Sequence, residues 1–388
     1  MQDARCRIKA KEHHVSCIMN HSFFITMFDK RLVFNFDWIF LLLVLSLAGL
    51  GVIGLYGTTS GVTNLHAKQI NWLVLGVLVM VFMVLFNYQY LEKYTYSIYA
   101  VTIVVLILVL FVGRETFGAR RWMDLGFISF QPSEFTKLVV VLTLSRYFSQ
   151  KNVPSEGMSL KDMLFAFALI APLVILVLIE PDLGTASIIL LIYGSITLFA
   201  KVRFRVLILA FLSVAALIPV FWHFLKDYQK SRVLAFLNPG LDPLGAGYQI
   251  IQSKIAIGSG GWGGKGYMLG TQSKLKFLPA QSTDFVFSVI AEEWGFIGAI
   301  FFLSLFLLLM LWTLTITLRA KDRFGAFLSF GIGSLLFWHV FINLGMVTGI
   351  LPVVGVPLPF LSYGGSFFVT LMVAIGLLLN ISMRRFMF

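Results

Sequence analysis

The sequence predicts an all-α, polytopic integral membrane protein: ten transmembrane helices with a large extracytoplasmic loop between spans 7 and 8. Three observations carry that expectation. Of 388 residues, 59% are hydrophobic and 12% charged, with a mean hydropathy of +0.90, more apolar side chain than a soluble fold of this length can hide. Apolar runs long enough to cross a bilayer recur along the whole chain. Lys and Arg concentrate between alternate runs, as the positive-inside bias demands.

In order, residues 1–37 form a polar, His-rich tail, expected to be cytoplasmic, with Met19 and Met27 as alternative starts. Its two cysteines, Cys6 and Cys17, imply no disulfide framework. The first apolar run is too long for a cleavable signal peptide and lacks a small-residue cleavage site. The remainder, 38–388, reads as one transmembrane domain with spans at 38–56, 69–87, 95–113, 133–148, 163–180, 184–200, 206–225, 284–313, 324–346 and 365–383. Span four opens at Pro132, a residue suited to a first helical turn. Span eight is longer than a bilayer needs, so it is expected to begin above the membrane surface.

With the N-terminus inside, the inside segments hold 18 of the 30 Lys and Arg and the outside loops 11, with Lys137 in a span. Both termini are then cytoplasmic. Seven of the outside cations lie in the loop 226–283, and Arg114, Arg120 and Arg121 precede span four. Long loops translocate regardless of charge, so a basic outer surface for an anionic substrate and simple tolerance both fit. The net charge of +12 is scattered through short loops, which fits topology and anionic lipid rather than nucleic acid.

Six stretches carry chemistry-bearing residues. In "LPAQSTDF" Asp284 precedes an apolar run, where an acid is either a helix cap or a base at the external face. Glu292 and Glu293 lie two turns on, and a regular helix would put Asp284, Ser288, Ala291, Glu292 and Gly295 on one face. Ionisable groups at such depth usually face a protein interior or wet cavity; structural support to a cavity is the first expectation for both glutamates. In "QPSEFTK" Glu134 and Lys137 are spaced to pair on one helix face, as a structural bridge or as part of a polar cavity. "EPDLGTA" forces a tight turn in which Asp182 either binds substrate or satisfies backbone donors. The glycine-dense "QSKIAIGSGGWGGKG", flanked by Lys254 and Lys265, is either a phosphate-cradling backbone or a flexible loop, and is no P-loop. "GILPVVGVPLPFLSYGGS" breaks the backbone where only buried or cavity-lining irregularity is tolerated. Within it Ser362 is a candidate substrate contact, and Gly364 and Gly365 are candidate cavity positions. No histidine has metal-ligand spacing, and no nucleotide motif or nucleophile triad is present.

Taken in order, "GARRWMDLGFISFQPSEFTKL", "PDLGTA", "NPGLDPLGAGYQIIQSKIAIGSGG", "KFLPAQSTDFVFSVIAEEWG" and "GMVTGILPVVGVPLPFLSYGGS" resemble the SEDS family (shape, elongation, division and sporulation), most closely its rod-shape branch. The resemblance covers about residues 38–383. It implies a peptidoglycan glycosyltransferase of the bacterial cytoplasmic (inner) membrane that polymerises lipid II for cell-wall elongation and rod shape. Its implied partners are a class B penicillin-binding protein and other elongation-machinery membrane proteins. It implies that Asp284 is the essential catalytic acid, and it places Glu134 and Lys137 in a central cavity. The family pattern Leu-Pro-Glu-x-His-Thr-Asp-Phe has Ala280 and Ser282 here in place of Glu and His, and Glu180 stands where Gln is common.

On that resemblance Asp284 takes the proton of the acceptor hydroxyl. Cations stabilise the departing undecaprenyl pyrophosphate: candidates are Arg121, Lys137, Lys254 and Lys265, or a divalent cation (Mg or Mn) on Asp284. A lipid II flippase or transporter is the competing reading, which wants its site near the midplane.

Overall fold

The structure is a computed structural model. It describes residues 34–386 except 60–63, 117–118, 125, 127–128, 152–156, 204–205, 207, 210–211, 214–215, 217–218, 220–221, 224–226, 242–244 and 276. The tail to residue 33, and with it Cys6 and Cys17, lies outside the described residues, as does most of the seventh expected span, 206–225.

The chain is mostly helical. Three long helices open it, α1 (Trp38–Thr59), α2 (Leu65–Leu85) and α3 (Tyr88–Val112). Next come three short strands, β1 (Arg114–Thr116), β2 (Ala119–Asp124) and β3 (Ser129–Phe130). They pair antiparallel in the order β1-β2-β3, a small departure from the all-α expectation. Then follow α4 (Pro132–Gln150), α5 (Leu160–Ile179) and α6 (Leu183–Phe199). The segment expected as one large loop carries α7 (Asp227–Leu237), α8 (Ala246–Ser259) and α9 (Thr271–Lys274). Finally come α10 (Val286–Leu318), α11 (Arg323–Thr348) and α12 (Gly365–Met383).

Local chemistry sets the helix ends. Ser159 and Asp162 form a reciprocal capping box on α5. Asn87 accepts from Gln89 N at 3.1 Å ahead of α3, and Pro132 opens α4 where its missing N–H costs nothing.

Among the described residues seven helices are long and apolar enough to cross a membrane (α1, α2, α3, α5, α10, α11, α12), and α6 is a shorter apolar helix. Their burial is graded. In its most apolar stretch α12 is 94% buried and α11 67%, whereas α1, α2, α3, α5 and α10 are 22–33% buried. The chain is thus a multi-pass membrane protein with α12 at its centre, packed against α2, and with α11 and α4 beside it. The outer helices turn Leu42, Leu78, Val101, Phe165 and Leu311 outward, a surface suited to lipid and too apolar for water. α4 buries Ser133, Glu134, Thr136, Lys137, Thr143 and Ser145, which is why composition alone reads it as a weak span.

The long α10 is not one regular helix. At Gly295 φ is 67° and ψ −162°. Residues 286–293 are all buried, and the exposed apolar side chains begin at Trp294, Phe296 and Ile297. The remaining 296–318 is about 35 Å long at 1.5 Å per residue, enough for a bilayer. Glu292 and Glu293 therefore sit above the lipid-facing stretch, not deep within it.

Candidate functional site at the Asp284 turn

Asp284 stands in a tight turn just before α10. The turn is built on Ala280, which adopts φ 53° and whose carbonyl accepts from the N–H of Thr283, Asp284 and Phe285 at 3.1–3.3 Å. A second segment, Val353–Ser362, clasps it. Buried Ser362 donates to Thr283 O and accepts from Leu358 N at 2.8 Å. Tyr363 N donates to Ser282 O at 2.9 Å. Asn343 of α11 bridges the two, donating to Asp284 O at 2.9 Å and Val356 O at 2.7 Å.

The Asp284 carboxylate itself faces Gly355. A Cβ there would stand 3.5 Å from Oδ2, and Gly355 has φ +74°. Placing Asp284 in a turn rather than on α10 takes it off the face shared by Ser288 and Glu292. Burial pushes its carboxyl up to about 6, while a hydrogen bond with the Thr283 side chain and the charge of Arg232 pull it back. Arg232, on α7, donates to Val353 O at 3.3 Å.

Glu134 and Lys137 form the pair their spacing suggests, at 2.7 Å, both buried. Lys137 Nζ also meets His339 Nε2 at 3.0 Å, and His339 Nδ1 meets Pro357 O at 3.2 Å. The Phe367 ring lies 5.3 Å from the ammonium. This buried chain therefore ends on the same Val353–Ser362 segment that faces Asp284.

The tight turn at Asp182 abuts that segment as well, since a Cβ at Gly184 would stand 2.7 Å from Val354 O. Asp182 caps α6, accepting from Thr185 N at 3.1 Å, and its other oxygen accepts from Gln131 and Ser133 at 3.4 and 3.5 Å. Arg121 donates to Glu180 O at 2.8 Å and to Pro181 O, so its guanidinium props the turn. Gly365 lies on Trp72 with no space for a side chain. Gly364 caps α12 in extended backbone.

The glycine-dense stretch forms neither a phosphate cradle nor a loose loop. It is stitched into the break in α10. Lys265 N and Gly266 N donate to the carbonyls of Glu292 and Glu293 at 3.0 Å, while Phe296 N and Ile297 N donate to Gly261 O and Trp262 O at 2.9 and 3.2 Å. Glycine is required by contact: a Cβ at Gly264 would stand 2.1 Å from Glu293 O. Glu292 Oε1 accepts from Lys265 Nζ at 2.7 Å, Thr271 N at 2.8 Å, and Gln272 N and Thr271 Oγ1 at 3.1 Å. Glu293 lies toward Gly57 of α1. Lys254 is exposed, its stem lying over Gly349. The four expected cations thus have separate neighbourhoods, and among the described residues it is a fifth, Arg232, whose charge acts on Asp284.

Sequence reading missed Arg232, His339 and Asn343. Each sits in a helix with no motif-like neighbour, and only the fold brings them to one segment. A His and an Asn four apart inside an apolar span were the available signal. Among the described residues no three His, Cys, Asp or Glu gather as metal ligands, so Asp284 would offer a cation one carboxylate.

Comparison with known proteins agrees with this architecture. The family model "Cell cycle protein" (FTSW_RODA_SPOVE) matches residues 29–386. "Peptidoglycan glycosyltransferase MrdB" of Escherichia coli K12 is 42% identical over 362 residues, covering 93% of this chain and 96% of that protein. "Peptidoglycan glycosyltransferase RodA" of Treponema pallidum is 35% identical over 434 residues, covering 92% and 99%. Among solved structures, a chain from "Structural coordination of polymerization and crosslinking by a peptidoglycan synthase complex" superimposes with a TM-score of 0.78 at 35% identity, covering 91% of this chain and 99% of that one. The Thermus thermophilus rod shape determining protein RodA gives 0.69 at 28% identity, covering 91% and 98%. This chain belongs to the SEDS family, the FtsW/RodA/SpoVE cell cycle proteins.

Proposed function

We propose that this chain is a peptidoglycan glycosyltransferase that polymerises lipid II, with Asp284 as the base. The observation that carries the residue assignment is a carboxylate whose main chain is clasped on both sides while its oxygens face a glycine. The acceptor is the 4-hydroxyl of N-acetylglucosamine. As its oxygen attacks the donor's anomeric carbon, its proton passes to Asp284, the bond to pyrophosphate breaks, and undecaprenyl pyrophosphate leaves with the electron pair. Attack from the face opposite the leaving group inverts an α-linked donor to a β-1,4 bond.

A base whose pKa is raised to about 6 is largely ionised at pH 7.5 yet more basic than an ordinary carboxylate, as general-base catalysis favours. Arg232 is placed to offset charge growing on the pyrophosphate. Lys137, Arg121, Asp182 and Ser362 contribute by holding the surrounding backbone. A Mg or Mn ion would have Asp284 as its protein carboxylate, pyrophosphate and water completing its oxygen shell.

Ten spans put residues 226–283 and the Asp284 turn outside the bacterial inner membrane and both termini in the cytoplasm, consistent with the Lys and Arg distribution. The partner is a class B penicillin-binding protein that crosslinks the product. Transport of lipid II is the weaker alternative, because the acid, the cation and the clasping segment sit at one end of the bundle.

Purified full-length protein, with and without its transpeptidase partner, is given labelled lipid II, and wild type is compared with Asp284→Ala. Glycan strands from wild type alone support the assignment. Strands that survive the substitution remove Asp284 as base, and lipid II movement without strands favours transport.

A further inference from the structure

His339 stands at a junction between two buried systems. On one side is Lys137, within 3.0 Å of Nε2 and itself 2.7 Å from Glu134. On the other is Pro357 O, 3.2 Å from Nδ1. Both His339 and Lys137 are at most 1% exposed, so neither contact has water to replace it.

Hydrogen-bond chemistry fixes the state of the ring. An ammonium only donates, so Nε2 must present its lone pair; a carbonyl only accepts, so Nδ1 must carry the hydrogen. The ring is a neutral Nδ1–H imidazole. It thus converts the fixed position of an ion pair on α4 into a hydrogen bond on the segment facing Asp284. Pro357 lies two residues from Gly355 and next to Val356, which Asn343 ties to Asp284 O. Among the described residues Lys137 is the titratable side chain acting on the ring; its remaining face lies against Phe367 at 4.7 Å between centroids.

We propose that His339 is a positioning residue for the transferase reaction: its Nδ1–H, made the donor because the Lys137 ammonium takes Nε2 as acceptor, holds Pro357 O and locks the Val353–Ser362 segment against the Asp284 turn. This rests on the glycosyltransferase reading above.

Two substitutions separate its two bonds. Asn places its amide near Nδ1, keeping the donor to Pro357 O; Gln reaches the Nε2 position, keeping the acceptor for Lys137. Lipid II polymerisation by the full-length protein is followed as kcat and KM across pH. His339→Asn should hold kcat within about threefold, and His339→Gln should lower kcat about tenfold with KM within about twofold, the size expected for one buried hydrogen bond. In His339→Gln the acid limb of kcat/KM should also move from near 6 toward the ordinary carboxylate range, because a loosened segment admits water to Asp284, with Arg232 still facing it. Equal losses in both variants with an unmoved acid limb, or full kcat in His339→Gln, overturn the proposal.

A measurement on the unsubstituted ring covers variants that fail to fold. With His13, His14, His21, His66 and His223 changed to Gln, ¹⁵N NMR should show the Nδ1–H tautomer; an Nε2–H ring or an imidazolium overturns the proposal. Wild type inactive on lipid II sinks the glycosyltransferase reading, while the NMR result still decides the anchor.

Discussion

Asp284 and Glu292 lie eight residues apart in one run of sequence, and the fold treats them in opposite ways. Glu292 is fully buried and its Oε1 accepts four hydrogen bonds, binding Lys265 and the start of α9. Asp284 has its carbonyl tied to Asn343 and its N–H to Ala280, while its carboxylate looks toward Gly355. A carboxylate consumed by donors holds structure together. Asp284, fixed through its backbone and hydrogen-bonded at its carboxylate by the Thr283 side chain, is the one proposed above to take a proton.

That contrast can be broken at several points. The largest effect should come from Gly295→Ala, where a Cβ would stand 2.2 Å from Gly264 N at φ +67°. The stitch between the two halves of α10 would open, with a stability loss above about 4 kcal/mol seen as absent folded protein in size-exclusion chromatography. Next comes Glu292→Gln, which removes the charge from the four-bond cluster. Charge-assisted hydrogen bonds are worth about 1.5–3 kcal/mol, so its melting temperature should fall by several degrees, with the loss growing from stability and not from the pH profile. A Glu292→Gln enzyme that folds normally but loses its acid limb would reverse the roles assigned to the two acids. Smaller still, Arg232→Ala should reduce kcat about tenfold, about 1.4 kcal/mol, with partial recovery in Arg232→Lys; an unchanged kcat removes it from the leaving-group side.

The apolar helices were legible because hydropathy reports burial away from water: nine of the ten expected runs coincide with described helices, seven of which are long and apolar enough to cross a membrane, and the tenth lies mostly outside the described residues. The Glu134–Lys137 pair was legible because it is local. The stitching role of the glycine-dense stretch was not, since glycine signals close approach without saying to what. The break at Gly295 was hidden for the same reason: neighbouring apolar residues continue the helical pattern through it. His339 and Asn343 were invisible because their partners, at Pro357 O, Val356 O and Asp284 O, are backbone atoms brought near by packing.

The role proposed for the Asp284 carboxylate is measured in the Asp284→Asn protein, assayed for lipid II polymerisation and for melting temperature across pH. Asn keeps the shape and cannot take a proton, so polymerisation should fall by about 10²–10⁴-fold. Stability should move the other way. A carboxyl whose pKa is raised to about 6 in the folded state opposes folding once ionised, a penalty absent below the unfolded pKa of about 4, growing between the two values and complete above the folded one. Asp284→Asn should therefore match wild type at pH 3 and be more stable at pH 8, by up to about 3 kcal/mol, seen as a higher melting temperature. Loss of activity with that gain in stability is the predicted result. Polymerisation within a few-fold of wild type would contradict the account.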